Sequence, residues 1–528
     1  MTKRTMITAA VLALLLLLGV NAFAANPVQV NLTGSSAMFN LSALAGYSAS
    51  ACGTNIWTKK STSTAPIGGV DQRPGGAPEQ TGNIWIEWNA SETTICAYLT
   101  VDSAVGDEMF FAVPKFTVSI DPSWVNSAGS NLIPTLTDTT LPQAVYNALN
   151  NQPFNGAATD VRPEDALFEV NRCLAPLDPV NYTGLGYGPG PVGQPIEDSF
   201  NNPPTSATPV AFALTGQDPI SGGNIPAWTT TPVGAEPVIV FVNTTASPCT
   251  AGHFCESNFT NIDRWELAEV LNGTLTRTRD ITNAAGLPSI GIPVLLREPT
   301  SGTYTTMEFN VPRNVEINST QELGVNPAVC NPGDCGNPLD IQYASGGSRR
   351  RVIGTGEMVK EGGLIEDAFG YSFWSTGNFA PDLSTAKYLS VDGVDALNYS
   401  WYQSRGAFPN CVYPCKGLIP FVNVLNGSYP IWSILRVATN LPTPAGITNL
   451  IKTVQNTASN GFPDIVPYSQ MQKFRSHYDR PGEAAPASNG HAGEPAESGG
   501  DVGGAVFAIS ADTDFFSDTG LQLLQLKN

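Results

Sequence analysis

Ile292-Pro293-Val294-Leu295-Leu296-Arg297-Glu298-Pro299-Thr300-Ser301-Gly302-Thr303 reads as a short apolar strand, an arginine and a small polar turn opening into Tyr304-Thr305-Thr306. That order suits an oxyanion site. Arg297 offers a planar, permanently charged donor fork. Ser301 and Thr303 offer hydroxyls, and Gly302 lets backbone approach a ligand. A helix starting at Ser301 would aim its unpaired N–H groups at the same point. Taken alone, the turn favours an ordinary capped strand end, so the rest of the chain has to decide.

Working outward, Val28 to Phe39 is an alternating strand running into a small-residue turn, Gly34-Ser35-Ser36-Ala37. Strands are expected at Ile84–Trp88, Ala97–Val101 and Ala157–Val161, with a helix over Leu141–Asn150. From about Asn181 to Ala235 the chain is rich in Gly, Pro, Thr and Asn and reads as a long excursion. Order returns at Pro237-Val238-Ile239-Val240-Phe241-Val242-Asn243, a strand suited to carry the chain into a second lobe. Asn261–Gly273 is a helix closed by glycine, and Tyr429–Val437 is a strong strand suited to carry the chain back. Residues 482–504 are low-complexity and read as mobile. Asp102-Ser103-Ala104-Val105-Gly106-Asp107 reads as a strand-end turn without chemistry.

Met1-Thr2-Lys3-Arg4-Thr5, an apolar run through Leu18 and Ala22-Phe23-Ala24 together form a secretory signal with cleavage expected after Ala24. No cysteine stands at the cleavage point to take a lipid anchor, and no other apolar run reaches the ~18 residues of a membrane span. An exported, secreted or periplasmic soluble protein is the expectation. The 528 residues suggest two lobes, and 42% hydrophobic content suffices for sizeable cores. The net charge of −19, which becomes −21 once Lys3 and Arg4 leave with the signal, argues against nucleic acid, whose binding needs clustered Lys and Arg. A small anion is still admissible, because a buried arginine, hydroxyls and backbone N–H groups bind one independently of the overall field.

Nine cysteines in an exported chain point to disulfides: Cys249 with Cys255, Cys330 with Cys335 and Cys411 with Cys415 as local staples, Cys52 with Cys96, and Cys173 left over. No C-x-x-C occurs and only His253, His477 and His491 are present, so a cysteine-zinc site is disfavoured. Asn31, Asn89 and Asn243 begin glycosylation sequons. Ser348-Arg349-Arg350-Arg351 reads as a solvated basic loop or an anion or partner contact, and Glu357, Glu361 and Asp367 as helix-surface charge rather than a carboxylate cluster.

Several markers in collinear order resemble the periplasmic phosphate-binding proteins of ABC phosphate transporters. Thr33-Gly34-Ser35-Ser36-Ala37-Met38-Phe39 is similar to that family's T-G-A-G-A-T-F loop. Asp160-Val161-Arg162-Pro163-Glu164-Asp165-Ala166 resembles its D-F-G-A-S-D-A, and Val238–Asn243 its crossing strand ending in V-N. Asn261–Gly273 resembles the helix that follows, Arg297-x-x-x-Ser301-Gly302-Thr303 its R-x-x-x-S-G-T, Asp367–Tyr371 its G-A-I-G-Y, and Tyr429-Pro430-Ile431 its return strand.

The resemblance implies an α/β, two-lobe type II periplasmic-binding-protein fold with a ligand cleft between lobes and long inserted loops. The expected division is a signal over 1–24, a first lobe over 25–237, a second over 238–432 and a return over 433–528. It implies a monomeric binder of inorganic phosphate or a similar oxyanion, not an enzyme, without cofactor or metal, serving an ABC transporter permease. The ligand shell it implies is Ser35, Ser36, Met38 and Phe39 on the first loop, Thr139 or Thr140 at a second helix start, Asp165 as acceptor, and Arg297, Ser301, Gly302 and Thr303. Met38 stands where the family has threonine, the S-S-G-G helix start has no counterpart beyond Asp138-Thr139-Thr140, and 44–135 and 170–235 look like insertions. Alternatives are a surface interaction protein that has lost its ligand, or a secreted phosphatase.

Overall fold

The structure is a computed structural model, and it describes residues 26–60, 82–167, 212–256, 259–282, 289–297, 300–312, 321, 340–343, 346–352, 354–376, 379, 385–398, 419–477 and 503–508. The expected signal, Cys173 and the Cys330–Cys335 and Cys411–Cys415 pairs lie outside them.

The strands in chain order are β1 (Val28–Gly34), β2 (Asn55–Lys60), β3 (Asn83–Trp88), β4 (Ile95–Thr100), β5 (Gly156–Thr159), β6 (Trp228–Asn243), β7 (Asn261–Ile262), β8 (Pro293–Arg297), β9 (Asp340–Gln342), β10 (Ser348–Val352), β11 (Phe369–Phe373), β12 (Ala386–Tyr388), β13 (Ser390–Val391), β14 (Trp432–Asn440), β15 (Val466–Pro467), β16 (Lys473–His477) and β17 (Gly503–Ala508). The helices are α1 (Phe39–Gly46), α2 (Ser103–Phe111), α3 (Gln143–Leu149), α4 (Arg264–Asn272), α5 (Thr278–Thr282), α6 (Gly302–Asn310), α7 (Gly354–Leu364), α8 (Val422–Leu425) and α9 (Ala445–Asn460).

The chain is mixed α/β, and its main sheet runs β2-β3-β4-β1-β5-β14-β6-β11-β8-β10-β9. Two portions of that sheet repeat one plan. In the first, β1 lies parallel to both β4 and β5, and β14 then runs antiparallel along β5. In the second, β8 lies parallel to both β10 and β11, and β6 then runs antiparallel along β11. This is the type II arrangement. The sixteen-residue strand β6 joins the portions: up to Pro237 it pairs with β14, and from Val238 onward with β11.

Burial on both faces explains why these strands read as apolar runs rather than alternations. Ile95-Cys96-Ala97-Tyr98-Leu99-Thr100 is buried at every position, as are Val238 to Asn243. Helix α9 covers the first portion with a stripe of Ile447, Leu450, Ile451, Val454 and Ala458, at the spacing of a single helical face. Helix α4 follows its sequence signals: Asp263 accepts from the Glu266 N–H at the start, and Gly273 takes φ +84° at the end.

Several sequence expectations shift. Strand β6 begins at Trp228, so Trp228 to Ala235 belong to the sheet and not to an excursion. The backbone pairing with β14 outweighs the low strand tendency of Pro232 and Gly234. Arg349, Arg350 and Arg351 lie on strand β10, not on a loop: Arg349 is buried with Nη1 donating to the Asn272 carbonyl at 3.0 Å, and Arg350 pairs with Glu361 at 3.2 Å. Gly503 and Gly504, expected to be mobile, open β17, which pairs with β16. Asn31 and Asn243 are buried with their amides donating to backbone carbonyls, so neither sequon presents its nitrogen to a glycan.

Cys249–Cys255 is a disulfide, as its close spacing suggested, and Cys52 pairs with Cys96. The Cys52–Cys96 bond closes a loop across 44 positions and ties α1's exit to β4. Chain-entropy arguments set its contribution at about 2–4 kcal/mol. Replacing both Cys52 and Cys96 with alanine is therefore expected to lower the unfolding free energy from urea denaturation by that much, with a lower midpoint and unchanged far-ultraviolet dichroism. An unchanged midpoint would contradict it.

Candidate functional site

Arg297 ends β8 and is 1% exposed. Its Nη1 donates to Thr303 Oγ1 at 3.0 Å and to Thr355 Oγ1 at 3.3 Å, and Nη2 lies 3.6 Å from Asp102 Oδ1. Each of these partners stands at the start of a helix. Thr303 is in the first turn of α6, whose cap is the Ser301 hydroxyl accepting from the Thr303 N–H at 3.1 Å. Thr355 is in the first turn of α7, and Asp102 immediately precedes α2.

A fourth helix start joins from the β1–α1 loop. Ser36 Oγ lies 3.4 Å from Thr355 Oγ1, which also accepts from Ser372 of β11 at 3.1 Å. Ser35 donates from Oγ to Asp160 Oδ1, accepts at that Oγ from the Ala37 N–H at 3.0 Å, and gives its carbonyl to the Tyr98 hydroxyl. Helices α1, α2, α6 and α7 thus present their positive ends to one buried region where the two sheet portions meet. The portions are also stitched directly: the Ala104 N–H donates to the Thr300 carbonyl at 3.1 Å, and Thr300 Oγ1 to Asp102 Oδ2 at 3.2 Å.

Gly302 shows how close the approach is. A Cβ there would stand 2.5 Å from Asp160 Cβ and 2.7 Å from Ser103 Oγ, so only glycine admits this junction. Ser103 in turn accepts from the Asp160 N–H at 3.1 Å, and Ser433 of β14 donates to the Asp160 carbonyl at 2.6 Å.

Of the residues singled out in the sequence, Ser35, Ser36, Arg297, Ser301, Gly302 and Thr303 come together here. Met38 and Phe39 head α1, but their side chains are core: Met38 is buried and Phe39 packs on Tyr98 at 6.1 Å between ring centroids. The Phe39 N–H is directed at the Ser36 carbonyl at 3.3 Å.

Two placements differ. Thr139 bonds through both N–H and Oγ1 to the Ile56 carbonyl, and Thr140 bridges to Ala128, so the pair clamps the β2 edge and heads no helix. Asp138 draws that segment there by accepting from the Thr58 N–H and hydroxyl at 2.8 and 2.5 Å. The helix start expected of them is supplied by Asp102-Ser103. Asp165 is fully buried with Oδ2 3.3 Å from Arg162 Nε, and the acids placed against Arg297 and Gly302 are Asp102 and Asp160. Asp160 directly follows β5, whereas Asp165 lies within the short helical segment beyond it.

Reading the sequence missed Asp102, Ser103, Thr355 and Ser372. The signal for the first three was the one already used at Arg297: a buried strand, then small polar residues, then a helix. Ser372, inside a strand, carries no such mark.

Beneath the site sits a row of acids. Glu236 of β6 pairs in register with Ser433, and burial raises its carboxyl well above the ordinary range, with Asp160 and then Asp464 adding repulsion. Burial likewise pushes Asp464 up to about 7, although Thr376 N–H and hydroxyl bonds pull the other way. The Tyr98 hydroxyl is raised by burial, then by Asp160 and Glu236.

No protein-family model matches the sequence, and no curated protein matches it. Among solved structures, the chain is similar to an ancestral soluble variant of the human phosphate-binding protein at 11% identity, over 83% of this chain and 90% of that one, with a TM-score of 0.32. It is similar to a DING protein at 12% identity, over 82% and 87%, with a TM-score of 0.31. A phosphate-binding protein from Stenotrophomonas maltophilia is similar at 13% identity, over 67% and 75%, with a TM-score of 0.29. Among the described residues no helix is long and apolar enough to cross a membrane.

Proposed function

We propose that this protein is an exported binding protein, not an enzyme, that captures a protonated tetrahedral oxyanion, inorganic phosphate foremost, for ABC-type uptake. The observation that carries the reading is the buried Arg297 fork, flanked by Thr303 and Thr355 and faced by four helix starts. Donor hydroxyls, backbone N–H groups and one guanidinium are the elements that hold a phosphoryl group.

The acids define which oxyanion. A carboxylate 4 Å from a ligand oxygen repels a full negative charge by about 4 kcal/mol at an effective dielectric near 20. Hydrogen phosphate brings a proton that converts this contact into a hydrogen bond, and sulfate at neutral pH brings none. Asp160, beside Gly302, is the acceptor in this scheme, replacing the Asp165 of the sequence reading. The expected result in calorimetry is phosphate binding at micromolar or tighter affinity, with sulfate at least 100-fold weaker. Equal heats for the two anions would overturn the assignment of Asp160.

One observation favours a second reading. Arg297 is already engaged by two threonines and Asp102, a set that would also hold a closed interface whose ligand has been lost. Equilibrium dialysis with labelled phosphate separates the two: retention supports capture, and none at millimolar phosphate supports the interaction protein. Release of phosphate from a generic ester in EDTA would instead indicate a phosphatase.

A further inference from the structure

We propose that His253, Glu366 and Asp367 form a zinc site that staples the loop after β6 to the turn between α7 and β11. His253 Nδ1 lies 2.5 Å from Asp367 Oδ2 and 3.4 Å from Glu366 Oε1, and one donor atom from each residue falls within 4.8 Å of the others. Tetrahedral zinc with bonds of about 2.0–2.2 Å sets its ligands roughly 3.3 Å apart. The Glu366 separation already has that value, and the Asp367 separation reaches it by opening about 0.8 Å.

The donor set selects the ion. An imidazole with two carboxylates fits zinc and its first-row neighbours, whereas calcium and magnesium take oxygen shells. Asp367 is held by a second bond, the Phe254 N–H to its Oδ1 at 2.9 Å, which is how outer contacts orient a metal-binding carboxylate. The Cys249–Cys255 disulfide closes the short loop that carries His253, so little chain freedom remains to be lost on binding. Glu366 stands just past the C-terminal end of α7, where the helix dipole favours a cation. Asp367 is buried, His253 partly so, and Glu366 half exposed, which gives an ion a path in and leaves its fourth position to water. The bridge would join segments 114 residues apart.

The test uses tag-free full-length protein stripped with EDTA and dialysed. Zinc is titrated by calorimetry, cobalt by visible absorption, and thermal unfolding is followed with and without zinc. The expected results are one equivalent bound, a tetrahedral cobalt band, and a melting temperature raised by about 3 °C or more at saturation. His253→Asn and Glu366→Gln should each weaken zinc at least tenfold and abolish the shift. Glu366 lies at the surface and its variant keeps the fold, so the comparison stands even if His253→Asn unfolds. Absence of binding by the unaltered protein, or equal binding by both variants, overturns the site.

Discussion

Arg297→Ala is expected to weaken phosphate binding by a factor of several hundred or more and to destabilise the unliganded protein. Both effects follow from the guanidinium's position at 1% exposure, bonded to Thr303 and Thr355 and facing Asp102. Truncating one partner of a buried, hydrogen-bonded charge pair costs on the order of 2–5 kcal/mol in binding, and about 3–5 kcal/mol in stability when the other charge is left alone. Much of the stability loss should belong to Asp102 and not to the arginine. Adding Asp102→Asn to Arg297→Ala is therefore expected to recover stability while binding stays lost. Arg297→Lys should keep the charge but not the fork, giving intermediate affinity. Calorimetry and urea denaturation on the three variants supply the comparison. Binding by Arg297→Ala within threefold of the unaltered protein would remove the arginine from the site, and an unrestored double variant would deny the pairing with Asp102.

How much of this could be read in the residues varies with the physics behind each one. Arg297, Ser301, Gly302 and Thr303 were legible because strand, charge, cap and helix start are contiguous, and the structure keeps that local order. The crossing segments were legible in part, because Val238–Asn243 of β6 and most of β14 are buried runs, whereas the type II plan itself came from the resemblance of the collinear markers. The proposed acceptor, Asp160, was not legible. Asp160 and Asp165 are five positions apart, and only the tertiary packing of Gly302 and Ser35 distinguishes them. Thr139 and Thr140 misled because a polar cluster before a helix resembles a cap, yet α3 begins beyond them at Gln143 and Asp138 has other donors to satisfy. Asp102-Ser103 was passed over as a turn, although Gly106 marks it: a Cβ there would lie 2.3 Å from Gly34 Cα, so α2 must press against the end of β1.

The other large effect is on pH. Stability is expected to be greatest in mild acid and to fall between about pH 4 and pH 8, opposite to the usual carboxylate behaviour. Burial raises the carboxyls of Glu87, Asp107 and Glu236 well above their ordinary range, and lifts Asp464 to about 7. A carboxyl whose folded pKa exceeds its unfolded one stabilises fully below the unfolded value and loses that contribution as pH rises through the folded one. For Asp464 the window runs from about 4 to about 7, and three units correspond to roughly 4 kcal/mol. Asp464→Asn should therefore gain stability relative to the unaltered protein at pH 8 and not at pH 4.5, flattening the profile. Glu236→Gln should change the profile in the same direction, because burial and the Asp160 charge also raise the Glu236 carboxyl. Urea denaturation at half-unit intervals from pH 4 to pH 8 measures the slope directly, and a stability that rises steadily toward pH 8 would mean these acids ionise on folding.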